Sequence, residues 1–120
     1  MANDGLNLSV LVGPCSAPPE IRELASGTRL ATLAVRVPAS GDRATSVPVS
    51  VFDPPAWIET LDAGDEVVVV GRVQRRFFRV AAGGTGSRVE VESEAIARAT
   101  DGRRRASLRR RAETTLGQLA

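Results

Sequence analysis

Histidine, lysine and tyrosine are absent from this chain, and cysteine and tryptophan occur once each. Without histidine the common acid–base and hydrolytic triads have no imidazole, and zinc loses its usual nitrogen ligand. The single Cys15 has no partner in the chain, which excludes an internal disulfide framework and favours a reducing, cytoplasmic setting. Residues 1–12 lack a cationic start followed by a long apolar run, so no signal peptide is expected. The apolar run Val67–Val70 is far short of the ~20 residues that a membrane span needs. No nucleophile–base pair, metal cluster or phosphate loop stands out, so neither catalysis nor a cofactor is expected.

Every cation is an arginine, and the charge is unevenly spread. Residues 1–100 hold ten arginines and twelve acids, whereas residues 101–120 hold six arginines and two acids. At 120 residues the chain is long enough for one unstapled domain of ~100 residues and a tail. Residues 1–100 are the domain. Residues 101–120, with two arginine triplets and few leucines, read as a basic arm that is disordered or a marginal helix.

The stretch Asp65–Val80 organises the domain. Its four valines lack polar alternation, so both of their faces should be covered. After Gly71, counting by twos places Arg72, Gln74, Arg76 and Phe78 on one face, and Val73, Arg75, Phe77 and Arg79 on the other. Arginines beside an aromatic ring suit a polyanion with exposed bases; a solvated arginine strand is the competing reading.

Around this stretch, strands are expected at Asn7–Val12, Arg29–Val37, Ser46–Phe52 and Ser87–Ile96. Turns fall at Ser26-Gly27, Pro38–Asp42 and Gly83–Gly86. Val47, Val49 and Val51 should point inward, with Ser46, Pro48, Ser50 and Phe52 outward. In the last strand Val89 and Val91 should be inward, and Glu90, Glu92 and Glu94 a solvated face. Asp53-Pro54-Pro55 reads as a helix start, giving two turns over Ala56–Ala63, with Trp57, on one face with Leu61 four residues on, plugging the barrel floor. Five strands with a short helix between the third and fourth is the element order of an OB-fold, an all-β Greek-key barrel.

Three segments, in order, resemble the bacterial single-stranded DNA-binding protein family. Asn7–Gly13 followed by Pro19–Arg22 and Ser26–Thr28 is similar to its opening signature. Gly71–Phe78 resembles its fourth-strand motif, a glycine, basic residues and then a stacking aromatic, and Arg88–Val91 resembles its closing strand. The likeness spans about residues 6 to 98. It implies an OB-fold that assembles as a homo-oligomer (tetramer or dimer) and wraps single-stranded DNA without reading sequence, in DNA replication, repair and recombination. By position, Phe52 and Phe78 match stacking aromatics of that family, and Arg76 a nearby cation.

Departures accompany the match. Ser46 stands where the family usually has a tryptophan, and Ala39 and its neighbours where it has another aromatic. Stacking contributes ~1–3 kcal/mol per base, so two lost platforms would weaken binding by orders of magnitude, at about tenfold per 1.4 kcal/mol. The end, Leu-Gly-Gln-Leu-Ala, differs from the family's acidic, Pro-Phe-tipped peptide, so no such recruiting tip is expected. The candidate contact residues are Arg72, Arg75, Arg76, Phe78, Phe52 and Arg36, with single-stranded DNA as partner. Phe77, on the opposite parity, is expected in the core or an interface. The alternative is a degenerate barrel that serves as an interaction protein and touches nucleic acid weakly or through the arm alone.

Overall fold

The computed structural model describes residues 5–38 and 43–119. Six strands form one curled sheet: β1 (Ser9–Pro14), β2 (Glu20–Glu23), β3 (Arg29–Pro38), β4 (Ala44–Phe52), β5 (Glu66–Arg79) and β6 (Thr85–Arg98). The order across the sheet is β1-β5-β6-β4-β3-β2, and a bridge between Cys15 and Val35 joins the end of β1 to β3. All pairings are antiparallel except β4 with β6, where Val49 faces Val91 and Ser50 faces Glu92. The extra strand is β2, whose four residues pair with Arg29–Thr32. A piece that short carries too little alternation to be read as a strand from sequence. The turn expected over residues 39–42, and the aromatic-poor position at Ala39, lie outside the described residues.

Alternation decides what the barrel encloses. Ala31, Leu33, Val35, Val49, Val51, Val67 and Val69 point inward, and Val91 and Ile96 join them from β6. Val91 and Ile96 have opposite parity because the ladder shifts between Val70 and Gly71: Val70 faces Ala95, Gly71 faces Ser93, and Glu94 is the extra residue. The valine run is covered on both faces, as its composition requires. Val67 and Val69 face the barrel interior, while Val68 and Val70 lie under a second cluster.

That second cover corrects the expectation for the C-terminus. Gly102–Leu116 is a regular α-helix, α1, packed on the outer face of β5 and β6. Asp101 caps it, accepting a hydrogen bond from the Arg104 amide at 3.1 Å. Leu108 and Ala112, one turn apart, are buried against Val68, Val70 and Ala97. Two apolar side chains are a faint periodic signal, which is why the arm read as marginal. The short helix expected between the third and fourth expected strands is a five-residue 3-10 turn, Ala56–Thr60, between β4 and β5. Asp53 makes no cap there and adopts a positive φ of 49°. Ile58 and Leu61 are the buried plugs. Trp57 is half-buried instead, with Arg98 and Arg104 standing 5.5 and 5.9 Å from its ring centroid. No helix among the described residues is long and apolar enough to cross a membrane.

Leu108→Ala should remove the main contact holding α1 to the sheet and cost about 2–4 kcal/mol. Urea denaturation checks the loss, and hydrogen exchange should show the amides of 102–116 opening first; an unchanged midpoint would rule out docking through Leu108.

Candidate nucleic-acid interface

Beyond Gly71, β5 leaves the barrel wall. Ser9 is the last β1 residue to pair with it, and Asn7 then clips Val73, donating to its carbonyl at 2.7 Å and accepting from its amide at 3.0 Å. From Arg75 onward β5 and β6 pair only with each other, forming a two-stranded ribbon that turns at Gly83 and Gly84, both with positive φ. The parity count of the sequence holds along it. Arg72, Gln74, Arg76 and Phe78 share the outer face with Glu92, Glu90, Arg88 and Gly86 across the ladder.

The arginines of the outer face are already engaged. Arg72 donates to Glu92 at 2.8 Å, and Gln74 donates to the other carboxylate oxygen at 3.3 Å. Arg76 donates to Glu90 at 3.0 Å while its guanidinium stands 5.4 Å from the centroid of Phe52. Arg88 flanks the same carboxylate at 3.5 Å. Glu90 is therefore no part of a solvated acidic face: it is 1% exposed, beside a fully buried Ser50. Burial pushes its carboxyl up, but the neighbouring Ser50 hydroxyl, the Arg76 hydrogen bond and the charges of Arg76 and Arg88 outweigh this and hold it below the ordinary glutamate range. Ser50 was expected outward, and it is on that face, yet covered. Arg88 is the residue the sequence reading missed. The signal was there, since Arg88 has the same parity as Glu90 and Glu92.

Phe78 is not packed inside. Its ring lies over Gly86, near enough that a β-carbon there would stand 2.6 Å from Cε2, and the side chain stays 45% exposed. The opposite face of the ribbon corrects two expectations. Phe77 is 67% exposed and so lies outside the core, open to an interface, and Val89 is exposed where it was expected inward, because this stretch lies past the last barrel residue able to cover it. Arg75 on this face donates to Ser87 at 3.0 Å. Among the described residues no carboxylate pairs with Arg75 or Arg79. Arg36 is exposed on β3 opposite Ser46, six residues from Leu30, which faces Phe52. At ~3.3 Å per residue it stands roughly 20 Å along the strand from the Phe52 pair, so the fold does not gather it with the others.

No protein-family profile matches the chain, and no curated protein matches it either. Among solved structures it is similar to a deletion mutant of the single-stranded DNA binding protein from Thermus aquaticus, with TM-score 0.66 and 24% identity over 80% of this chain. This chain spans 42% of that chain's length. The likeness establishes the fold, the OB-type barrel expected from the element order.

The Glu90 cluster has a measurable pH signature. A carboxylate held below its unfolded value near 4.3 contributes stability above that pH and loses it as the pH falls through the lowered folded value. Glu90→Gln should therefore melt below the parent at pH 7, and the gap should narrow as the pH is lowered from 5 to 3. A gap that stays constant across that interval would mean the paired carboxylate is not the source of the difference.

Proposed function

We propose that this barrel binds single-stranded DNA without sequence readout, and that the β5–β6 ribbon is the main contact. One observation carries the reading: within Arg72–Arg79 two exposed phenylalanines, one on each face, stand beside arginines on a ribbon that projects from the barrel. Exposed rings offer stacking surfaces to any base, and guanidinium groups offer bidentate partners to phosphate. The Thermus aquaticus protein that shares the fold is named for binding single-stranded DNA, which supports the same direction. On this reading Phe78 and Phe52 meet bases, and Arg72, Arg75 and Arg76 meet phosphates, with Arg36 at the far end of the path. Assembly into a homo-oligomer belongs to the same proposal, and the exposed Val10, Val12, Val73 and Val89 are apolar surface open to it. So does a cytoplasmic role in replication, repair or recombination.

A second reading, an interaction barrel with little nucleic-acid affinity, is favoured by a specific fact. Arg72, Arg76 and Arg88 are each paired with Glu92 or Glu90, so the outer face presents less free charge than its arginines suggest. Truncating the arm would not separate the readings cleanly, since Leu108 covers Val68 and Val70. Neutralising the solvent-facing Arg103 and Arg110 to glutamine leaves that packing in place.

Fluorescence anisotropy with a labelled dT oligomer is the test. Affinity should fall with salt at a log–log slope of roughly −2 to −3 for three or four phosphate contacts. Phe78→Ala should weaken it by about the ~1–3 kcal/mol of one stacked base. A flat salt titration, or a Phe78→Ala variant that binds as tightly as the parent, would remove the ribbon from consideration. Loss of all binding in the Arg103→Gln, Arg110→Gln variant would move the contact to α1.

A further inference from the structure

Where α1 crosses the end of β4 and the shifted part of β6, it leaves a cavity of about 360 Å³. Its size is in the range of small-ligand sites. Phe52 forms one wall, the same ring over which Arg76 stands. The irregular step in the ladder puts Ser93 and Glu94 together at this place, and β-bulges commonly re-aim side chains in this way. The Ser93 hydroxyl is buried and has no hydrogen-bond partner. So enclosed, the hydroxyl must turn about its Cα–Cβ bond to meet a ligand in the cavity, and a bond made there recovers the cost of leaving it unpaired. From the helix come Arg104, Ser107 and the apolar Leu108.

Two ion pairs at the site cancel, and one carboxylate is left in excess. Arg104 pairs with Asp101 at 3.4 Å and Glu94 lies 3.8 Å from Arg111. Asp53 adds one further carboxylate at the rim. A free anion such as phosphate gains little there. A flat, uncharged ring with polar edges gains on every side: a π-face on Phe52, an apolar floor at Leu108, the waiting Ser93 hydroxyl, and carboxylates able to accept from an exocyclic amine. We propose that this cavity is a nucleobase subsite, built jointly by the barrel and α1, that takes one base of a bound strand beside the ribbon. The inference rests on the proposed single-strand binding, but the cavity also admits a free nucleoside, and the two sources are separable.

The experiment uses the full chain labelled with ¹⁵N, titrated with a dC oligomer and separately with deoxycytidine, whose amine can donate to Glu94 or Asp53. The amides of Ser93, Glu94 and Ser107 should shift in both titrations. Ser107→Leu, which fills the cavity from an exposed helix position, should weaken the oligomer about tenfold, the value of one stacked base. Ser93→Ala, which cannot disturb the fold by size, should weaken it less. Unmoved cavity amides, or a Ser107→Leu variant that binds the oligomer as tightly as the parent, overturn the subsite while leaving the ribbon proposal intact. Should no oligomer bind at all, the proposed function fails instead, and the deoxycytidine titration alone then decides the cavity: shifted amides uphold it and silent ones overturn it.

Discussion

Four consecutive valines cannot be left half-wet, and the arrangement of this protein follows from covering them twice. Fully burying a valine is worth roughly 1.5–3 kcal/mol, so Val68 and Val70 facing water would forfeit several kcal/mol. The barrel interior takes Val67 and Val69, and α1 takes the other two through Leu108 and Ala112. Because the helix must sit there, its first turn reaches Trp57, where Arg104 and Arg98 stand over the ring, and its flank closes the cavity beside Phe52. The arginine-rich tail is thus brought against the barrel by an apolar requirement and not by its charge.

The second constraint is the buried carboxylate of Glu90. Removing one partner from a buried ion pair typically costs about 3–5 kcal/mol, because the remaining charge is stranded. Arg76, Arg88 and Ser50 together prevent this, and Arg76 in meeting Glu90 is also placed over Phe52. One side chain therefore ties β5, β6 and β4 across the outer face. Cys15, by contrast, takes no part: burial, with Asp65 adding to it against Arg98, raises its thiol and keeps it protonated.

Much of this was legible in the residues. The alternation of Ser46–Phe52, the uninterrupted Val67–Val70 and the parity of Arg72–Phe78 specify which side chains share a face, and the coordinates agree. What failed did so for identifiable physical reasons. Parity predicts a face, not its covering, so Glu90 and Ser50 were assigned to the correct side and the wrong environment. A ladder shift cannot be seen from one strand, so Glu94 was grouped with Glu90 although it is itself the extra residue of the shift. Strand length relative to the barrel is a tertiary property, and Phe77 and Val89 are exposed only because the ribbon outruns its cover. Of the candidate contacts, Arg72, Arg76, Phe78 and Phe52 are gathered on the outer face. Arg75 lies on the reverse of the ribbon and Arg36 lies far along β3.

These two faces respond differently to an approaching polyanion. Arg72 is 52% exposed, and a surface pair such as Arg72–Glu92 is worth only about 0–1 kcal/mol, so a phosphate can replace the carboxylate at little cost. Arg76 is another matter, since surrendering it would leave Glu90 with Arg88 alone in a dry site. Its guanidinium can meet a phosphate only through the donors that Glu90 leaves free, staying over Phe52 as it does so. Arg75 and Arg79, which no carboxylate among the described residues holds, need surrender nothing. A strand crossing this molecule would therefore be gripped electrostatically along the ribbon, where charge is free and rings are bare. Nearer the barrel it would be received by shape and stacking, at Phe52 and the cleft beneath α1. Under the proposed function, that division would let a domain whose first hundred residues carry more acids than arginines still receive nucleic acid.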